Sequence, residues 1–426
     1  MSLWKSSLLI SLLTLLGRIT GYGRDFTISI LSGANNDTDI AFLILTIPDF
    51  LINIFLAGGL STTIIPKLET LNKENKKIIS GQISTIVAIL FISLSLLISL
   101  NAEKTFNILA PGINYIDYEL NILPLITICI CLPICALSGV INAVLNSKNI
   151  FVPGAIGSTI LNVFMIIFSV LGYFIFNVSI IWLLISGYAF GVLVRFFIQF
   201  SYGFKYFKFY YFKERLLLDF NLLKIFVGNF GFTIAFILMP VISRSFASKL
   251  EEGSLSLLTY CYKLIHLPEV VIIGSFSRVL LPYLTKNINN ILVTKIKRWI
   301  FLISLFLSII GYLLSPIIIN LIFGNSNLDS GQIYQLGEIT AKGLLFLMPI
   351  SIISIYGVIY AAKKETLPLF LTGIVMLSSI CILSPLLTSA FNLNGVVISY
   401  GMSYAFGALF ISLWDNYMRL FFIKKF

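Results

Sequence analysis

Apolar stretches of twenty or more residues recur along the whole chain, separated by short polar connections. A helix of that length matches the hydrocarbon thickness of a bilayer. Inside lipid only helices and closed barrels satisfy their own backbone hydrogen bonds. Barrel strands alternate lipid-facing and lumen-facing residues, whereas these stretches are continuous. The chain therefore reads as an all-α polytopic membrane protein. Composition agrees: 58% of the 426 residues are hydrophobic and 11% charged, against about 25% charged in soluble domains.

Twelve spans are expected, near residues 6–31, 38–63, 78–100, 119–145, 150–174, 178–201, 221–247, 254–282, 298–321, 338–361, 366–390 and 395–420. They divide at the one long polar connection. That gives an N-terminal six-helix lobe over 1–203, an inter-lobe linker over 204–220 carrying Lys205, Lys208, Lys213 and Arg215, and a C-terminal six-helix lobe over 221–426. Of the 29 Lys and Arg residues, 20 then fall in loops on the side of the N-terminus, three (Lys104, Lys249 and Lys342) on the other side, and six within spans. Loop cations concentrate on the cytoplasmic face, so both termini are expected there. The formal charge of +11 is explained the same way and is not a nucleic-acid footprint.

The halves echo each other. Pro48-Asp49 recurs as Pro268-Glu269, 220 residues on, and Gly139-Val140-Ile141-Asn142-Ala143 recurs as Gly357-Val358-Ile359-Tyr360-Ala361, 218 residues on. Six spans per half keep both halves in one orientation. Transporters built from such repeats place their substrate between them.

The first span contains Gly17-Arg18-Ile19-Thr20-Gly21-Tyr22-Gly23-Arg24-Asp25. Ionised side chains at membrane depth are costly and generally face a bundle interior or a water-filled cavity. At 100° per residue Arg18 and Asp25 share one helix face, and Arg24 lies about 120° from Arg18. Gly17 and Gly21 form a small-xxx-small pair that admits a neighbouring helix. Other embedded ionisable groups are Asp39, Asp49, Arg195, Arg244, Lys263, His266, Glu269 and Arg278. Lys263, His266 and Glu269 follow an i, i+3, i+6 spacing on one broad face. Cations outnumber acids, which suits a cavity for a substrate bearing phosphates or carboxylates. Plainer readings stand beside this one. Asp25 neutralises Arg18 or Arg24 as a structural pair; His266 is a satisfied buried histidine rather than a proton relay; Arg195 and Arg278 snorkel from helix ends.

No catalytic constellation is visible, so an enzyme is not expected. A Walker-type phosphate loop is absent, and one histidine with few acids builds no Ser-His-Asp set. The five cysteines (Cys129, Cys131, Cys135, Cys261, Cys381) have no metal-site or disulfide spacing and read as small buried apolar residues. No metal or cofactor is expected.

The amino-terminal motif, followed by Thr38-Asp39, Pro48-Asp49, Phe55, Gly58, Ser61 and Pro66, resembles the signature of the MurJ (MviN) flippase family. The resemblance continues through Ala110-Pro111-Gly112, Gly139, Asn146, Pro153, Asn162, Tyr260 to Pro268 and Leu281-Pro282. It implies the multidrug/oligosaccharidyl-lipid/polysaccharide exporter fold, with two six-helix lobes around a central cationic cavity. It also implies flipping of lipid II, the undecaprenyl-pyrophosphate-linked peptidoglycan precursor, across the bacterial inner membrane by alternating access. Membrane lipids and cell-wall synthesis or division proteins are the further partners, and the membrane potential or a monovalent ion is the energy source. Arg18, Arg24, Asp25 and Asp39 match the family's functional positions. Lys263 replaces a cavity arginine, Ile52 another arginine, and His266 an acid. The family's usual fourteen spans become twelve, without the final pair that forms a groove for the polyprenyl tail. Rival expectations are a flippase for another polyprenyl-pyrophosphate glycan, a multidrug antiporter, which would carry acids rather than arginines, and a non-transporting scaffold of cell-wall synthesis.

Overall fold

A computed structural model of the chain describes residues 3–55, 72–113, 115–148, 150–176, 178–207, 220–269, 284, 290–363 and 365–423. Among these residues every regular element is helical. The chain divides into two compact units, Met1–Val227 and Gly228–Phe426.

The first unit begins with α1 (Leu3–Leu31) and α2 (Asn36–Phe55). Then come α3 (Lys73–Leu100), a short α4 (Ala102–Leu109), α5 (Tyr115–Asn146), α6 (Gly157–Phe176) and α7 (Ile180–Gly203). A 3-10 turn, Phe204–Tyr206, follows α7. Helix α2 is the buried staff of this unit, with every residue from Thr38 to Pro48 inaccessible. It packs on α5 and α7, while α1 lies along α6 and α3 along α5. Its start is capped reciprocally: the Asn35 N–H donates to Thr38 Oγ1 at 2.9 Å and the Thr38 N–H to Asn35 Oδ1 at 3.0 Å. Such caps satisfy first-turn amides that would otherwise be orphaned.

Helix α8 (Phe220–Ala247) carries the division between the units. The second unit continues with α9 (Ser254–Glu269), α10 (Asn290–Phe323), α11 (Ser330–Leu344), α12 (Leu347–Lys363) and α13 (Leu367–Ile423). Helix α11 opens on a capping box, Asp329 with Gln332. Helices α11 and α12 meet at a bend of 47°.

The surface pattern is the reverse of a soluble protein's. On α3, Ser80, Ser84 and Ser95 are buried, while Ile89, Ile92 and Leu96 are exposed. On α10, Ser304, Ser308 and Ser315 are buried, while Leu302, Phe306, Ile309, Leu313 and Ile317 are exposed. Serine hydroxyls bond backbone carbonyls inside: Ser95 donates to Cys129 O at 2.6 Å and Ser315 to Gly337 O at 3.0 Å. Lipid tails are as apolar as leucine, so helices in a bilayer turn small and hydrogen-bonding residues toward one another.

Six helices among the described residues are long and apolar enough to cross a membrane, or seven with the bent α11–α12 pair counted as one. The twelve expected spans meet this number in four ways. Helix α8 counts only as a shorter apolar helix, Thr233–Ala247. Ionised residues cluster at Arg18, Arg24 and Asp25 in α1 and at Asp37, Asp39 and Asp49 in α2. The expected spans 38–63 and 254–282 run beyond the described residues. And α13 holds two spans. Ser384 Oγ lies 3.1 Å from Ser399 Oγ, fifteen residues away, whereas fifteen residues of straight helix would separate them by about 22 Å. The chain therefore doubles back, at Asn392, whose φ is 50°. Asparagine is among the few side chains that tolerate positive φ. Each arm has the length of a span. Of the cysteines expected to be buried, Cys381 is exposed on α13 and the other four are buried.

Gly187 of α7 marks the tightest backbone approach to α6: a Cβ there would lie 2.8 Å from Met165 Cα and 2.9 Å from the Phe164 carbonyl. Backbone cannot swing aside as a side chain does, so Gly187→Leu must separate the helices. The variant is expected to lower the apparent melting temperature of the detergent-purified protein by several degrees or to abolish its accumulation in the membrane.

Candidate functional site

The residues singled out above fall into two sets, one in each unit. In the first, α1 approaches α6 through its glycines. Asn162 Nδ2 donates to the Gly17 carbonyl at 3.1 Å, and a Cβ on Gly21 would lie 3.3 Å from that same Nδ2. A Cβ on Gly17 would collide with Ser158. This contact fixes where the next turn of α1 sits. Arg24 there donates from Nε and Nη2 to Asp25 Oδ1, at 2.8 and 2.6 Å. Its Nη1 donates to Asn162 Oδ1 at 3.3 Å. The side chains are 16% and 6% exposed respectively. Asn162 thus uses both ends of its amide, one to pin α1 and one to orient the guanidinium. The expected pairing of Asp25 with an arginine is present, and the partner is Arg24. Arg18, nearly two turns earlier, is half-buried.

Asp39 is 8% exposed in the first turn of α2. A carboxylate there is favoured by the positive end of the helix dipole, which gives it a structural reason for its place. Asp49 follows Pro48 and is exposed, in contrast to the inaccessible run before it. Arg195 packs its Nε against Gly157, where a Cβ would lie 2.8 Å away. That Nε is buried and makes no hydrogen bond among the described residues.

In the second unit Arg244 occupies the last turn of α8, a position the helix dipole also favours for a cation. Lys263 is half-buried on α9. His266 is held at both ring nitrogens: Nδ1 lies 3.0 Å from Glu269 Oε2 and Nε2 lies 2.8 Å from the Tyr400 hydroxyl. Ser354 Oγ donates to Glu269 Oε1 at 2.6 Å, and the Tyr400 hydroxyl lies 3.3 Å from that of Tyr404. Tyr262 stacks on Tyr400 with ring centroids 4.3 Å apart. The network joins α9, α12 and the second arm of α13. His266 is a satisfied histidine, and its two partners also make it a bridge between a carboxylate and a pair of phenols. Arg278 lies outside the described residues.

Reading ionisable groups alone missed Ser354, Tyr400 and Tyr404. The i, i+4 tyrosines on one face of a span were the available signal. A second polar cluster was also missed. Lys297 Nζ lies 2.7 Å from Asp415 Oδ2 and 4.1 Å from the Tyr356 ring centroid. Lys297 stands at a span's edge and looked like an ordinary topology-setting cation. Among the described residues no group of His, Cys, Asp and Glu side chains could hold a metal ion.

Comparison with known proteins places this architecture. A family model described as "Lipid II flippase MurJ" matches residues 28–421. The probable lipid II flippase MurJ of Buchnera aphidicola subsp. Baizongia pistaciae is 29% identical over 443 residues, covering 100% of this chain and 79% of that protein. The probable lipid II flippase MurJ of Borreliella burgdorferi is 25% identical over 425 residues, covering 94% of this chain and 80% of its own. Among solved structures, a lipid II flippase MurJ in an inward closed conformation matches with a TM-score of 0.82 at 22% identity, over 96% of this chain and 87% of the other. An inward-facing multidrug resistance transporter of the MATE family, in the MOP superfamily, matches with a TM-score of 0.76 at 15% identity, over 95% of both chains. The structural likenesses show the fold and include both kinds of transporter. The sequence-level match distinguishes them, and the chain belongs to the lipid II flippase MurJ family.

Proposed function

We propose that this protein is a transporter, not an enzyme, that flips lipid II from the cytoplasmic to the periplasmic leaflet of the bacterial inner membrane. The family match over residues 28–421 carries the reading. The cations on α1 and α9 support it against multidrug transport, whose cationic substrates call for acids.

Arg18, Arg24 and Lys263 are the groups assigned to the pyrophosphate. A charge-assisted, bidentate guanidinium contact replaces the hydration the phosphates lose. Before substrate arrives Asp25 compensates the Arg24 charge and holds it in place, because a lone buried guanidinium would be strongly unfavourable. Arrival of a pyrophosphate exchanges one anionic partner for another, so the cost of exposing the bare charge is avoided. Lys263 offers a point charge where an arginine would offer a fork, which makes the contact less directional. Asp39 and Asp49 are the further acids of the first unit, and Arg244, His266 and Glu269 the further ionisable groups of the second. The two units rock to alternate access. A charge moved across 100 mV gains about 2.3 kcal/mol, so the membrane potential or a monovalent ion can drive the cycle, with the His266–Glu269–Tyr400 network as the group that senses it. Both termini lie in the cytoplasm, and cell-wall synthesis or division proteins are the neighbouring machinery.

Rescue of cells depleted of their own lipid II flippase, paired with a leaflet-accessibility assay for lipid II, tests the assignment. Removing Arg24 alone leaves Asp25 buried without its counter-charge, a loss of about 3–5 kcal/mol. The informative variant is therefore Arg24→Gln combined with Asp25→Asn, which keeps hydrogen-bonding side chains and removes both charges. It is expected to insert and fold normally and to fail in rescue; full rescue would remove Arg24 from the substrate contact. Glu269→Gln keeps an acceptor for Ser354 and removes a titratable charge. Its flipping rate should lose most of its dependence on pH or membrane potential, and an unchanged dependence would take the network out of the coupling. Single cysteines placed at each end of the chain should be labelled by a membrane-impermeant thiol reagent only after the membrane is breached.

A further inference from the structure

One feature of the first unit is unused by the proposed transport path. Lysines from three separate segments converge on a cavity of about 430 Å3. Lys73, Lys76 and Lys77 come from the first turns of α3, Lys148 from the connection after α5, and Lys205 from the 3-10 turn after α7. The volume lies within the range of ligand sites, about 300–1,000 Å3. Tyr206 forms part of the wall, with Lys148 Nζ 5.8 Å and Lys205 Nζ 5.2 Å from its ring centroid. The positive end of the α3 dipole is directed to the same side. Among the described residues none of these five lysines forms an ion pair, and Glu74, the acid in the first turn of α3, does not line the cavity.

Loop lysines that only set topology gain by spreading into water, since like charges repel. Here five lysines line one cavity, with Lys76 and Lys148 half-buried and Lys73, Lys77 and Lys205 exposed. Burial pushes the pKa of the Lys148 ammonium down, and Lys76 and Lys73 push it down further. The second unit shows what such a corner looks like when its charge is balanced from within. The offset of 220 residues that carries Pro48-Asp49 onto Pro268-Glu269 also carries Lys77 onto Lys297. Lys297 is paired with Asp415, which is 4% exposed, and both are walled by tyrosines, Tyr356 under the Lys297 amine and Tyr360 within 3.5 Å of Asp415. The first unit keeps the lysines and a tyrosine, and among the described residues no acid lines the cavity.

We propose that this cavity is a binding site for a phosphate-bearing anion, presented by the headgroup of an anionic membrane lipid. The neighbouring surface favours the lipid as the source of the phosphate. Tyr202 and Phe204, beside Lys205, are more than half exposed, and such aromatic residues settle at the level of the headgroups. Basic pockets between membrane helices on the cytoplasmic side bind anionic headgroups, and the loop charges assign this end of α3, α5 and α7 to that side. The site is separate from Arg24 and would be filled whichever lipid-linked substrate is carried.

Amine labelling of the full-length protein in nanodiscs tests the proposal. In phosphatidylcholine discs, Lys148 should react faster with an acylating reagent than the exposed Lys295 and Lys104, because more of it is uncharged. Discs containing phosphatidylglycerol should protect Lys148, Lys76 and Lys205 and leave Lys295 and Lys104 little changed. Each of Lys76→Gln and Lys148→Gln should raise the phosphatidylglycerol content needed for half-protection at the remaining lysines by about fivefold, roughly the contribution of one lysine near an anionic surface. Inorganic phosphate added to phosphatidylcholine discs separates the sources. Protection by the lipid alone supports the headgroup site, and protection by free phosphate alone overturns the lipid assignment. Equal protection of all lysines, or none at the cavity, overturns the site. The readout is independent of flipping, so it stands or falls apart from the transport assay.

Discussion

The contact between α1 and α6 decides most of what the first unit can do. Gly17 and Gly21 remove the side chains that would keep the helices apart, and Asn162 occupies the space. One amide then bonds the α1 backbone and the Arg24 guanidinium together. Without that approach Arg24 would lose Asn162, and a flexible arginine beside a carboxylate is poorly directed. Small residues thus perform a task that the charge itself cannot, holding a cation still in a medium where it would otherwise seek water.

The second unit holds its polar side chains in a longer hydrogen-bonded chain. His266 is placed by a carboxylate on its own helix and a phenol on another, and the carboxylate is placed in turn by Ser354. Every polar atom added to such a chain lowers the cost of burying the next one, and a partly satisfied chain would be worse than an apolar core. The two units therefore differ in kind. The first orients a permanent charge. The second joins a histidine, a carboxylate and two phenols in one hydrogen-bonded chain.

The helical class and the inventory of charged residues were legible from sequence because they depend on composition and local period. Long apolar runs admit only one kind of backbone in lipid. The adjacent Arg24 and Asp25 were legible as a possible pair for the same reason. The break expected between spans 366–390 and 395–420 was legible too: α13 doubles back there, at Asn392, with an asparagine at positive φ. The bend between α11 and α12 was less legible, because it interrupts a continuous apolar pattern. The family match itself begins after Asp25, so the α1 motif contributed separately.

Sequence alone determined that this chain is a helical membrane protein with cations in its first span and an acid beside them. Tertiary structure alone decided which groups those charges meet. Arg24 finds Asn162 across 138 residues, and His266 finds Tyr400 across 134. A helical period reports the face on which a residue stands. It carries no information about the helix opposite, because that choice is made by the packing of small residues and the shape they leave.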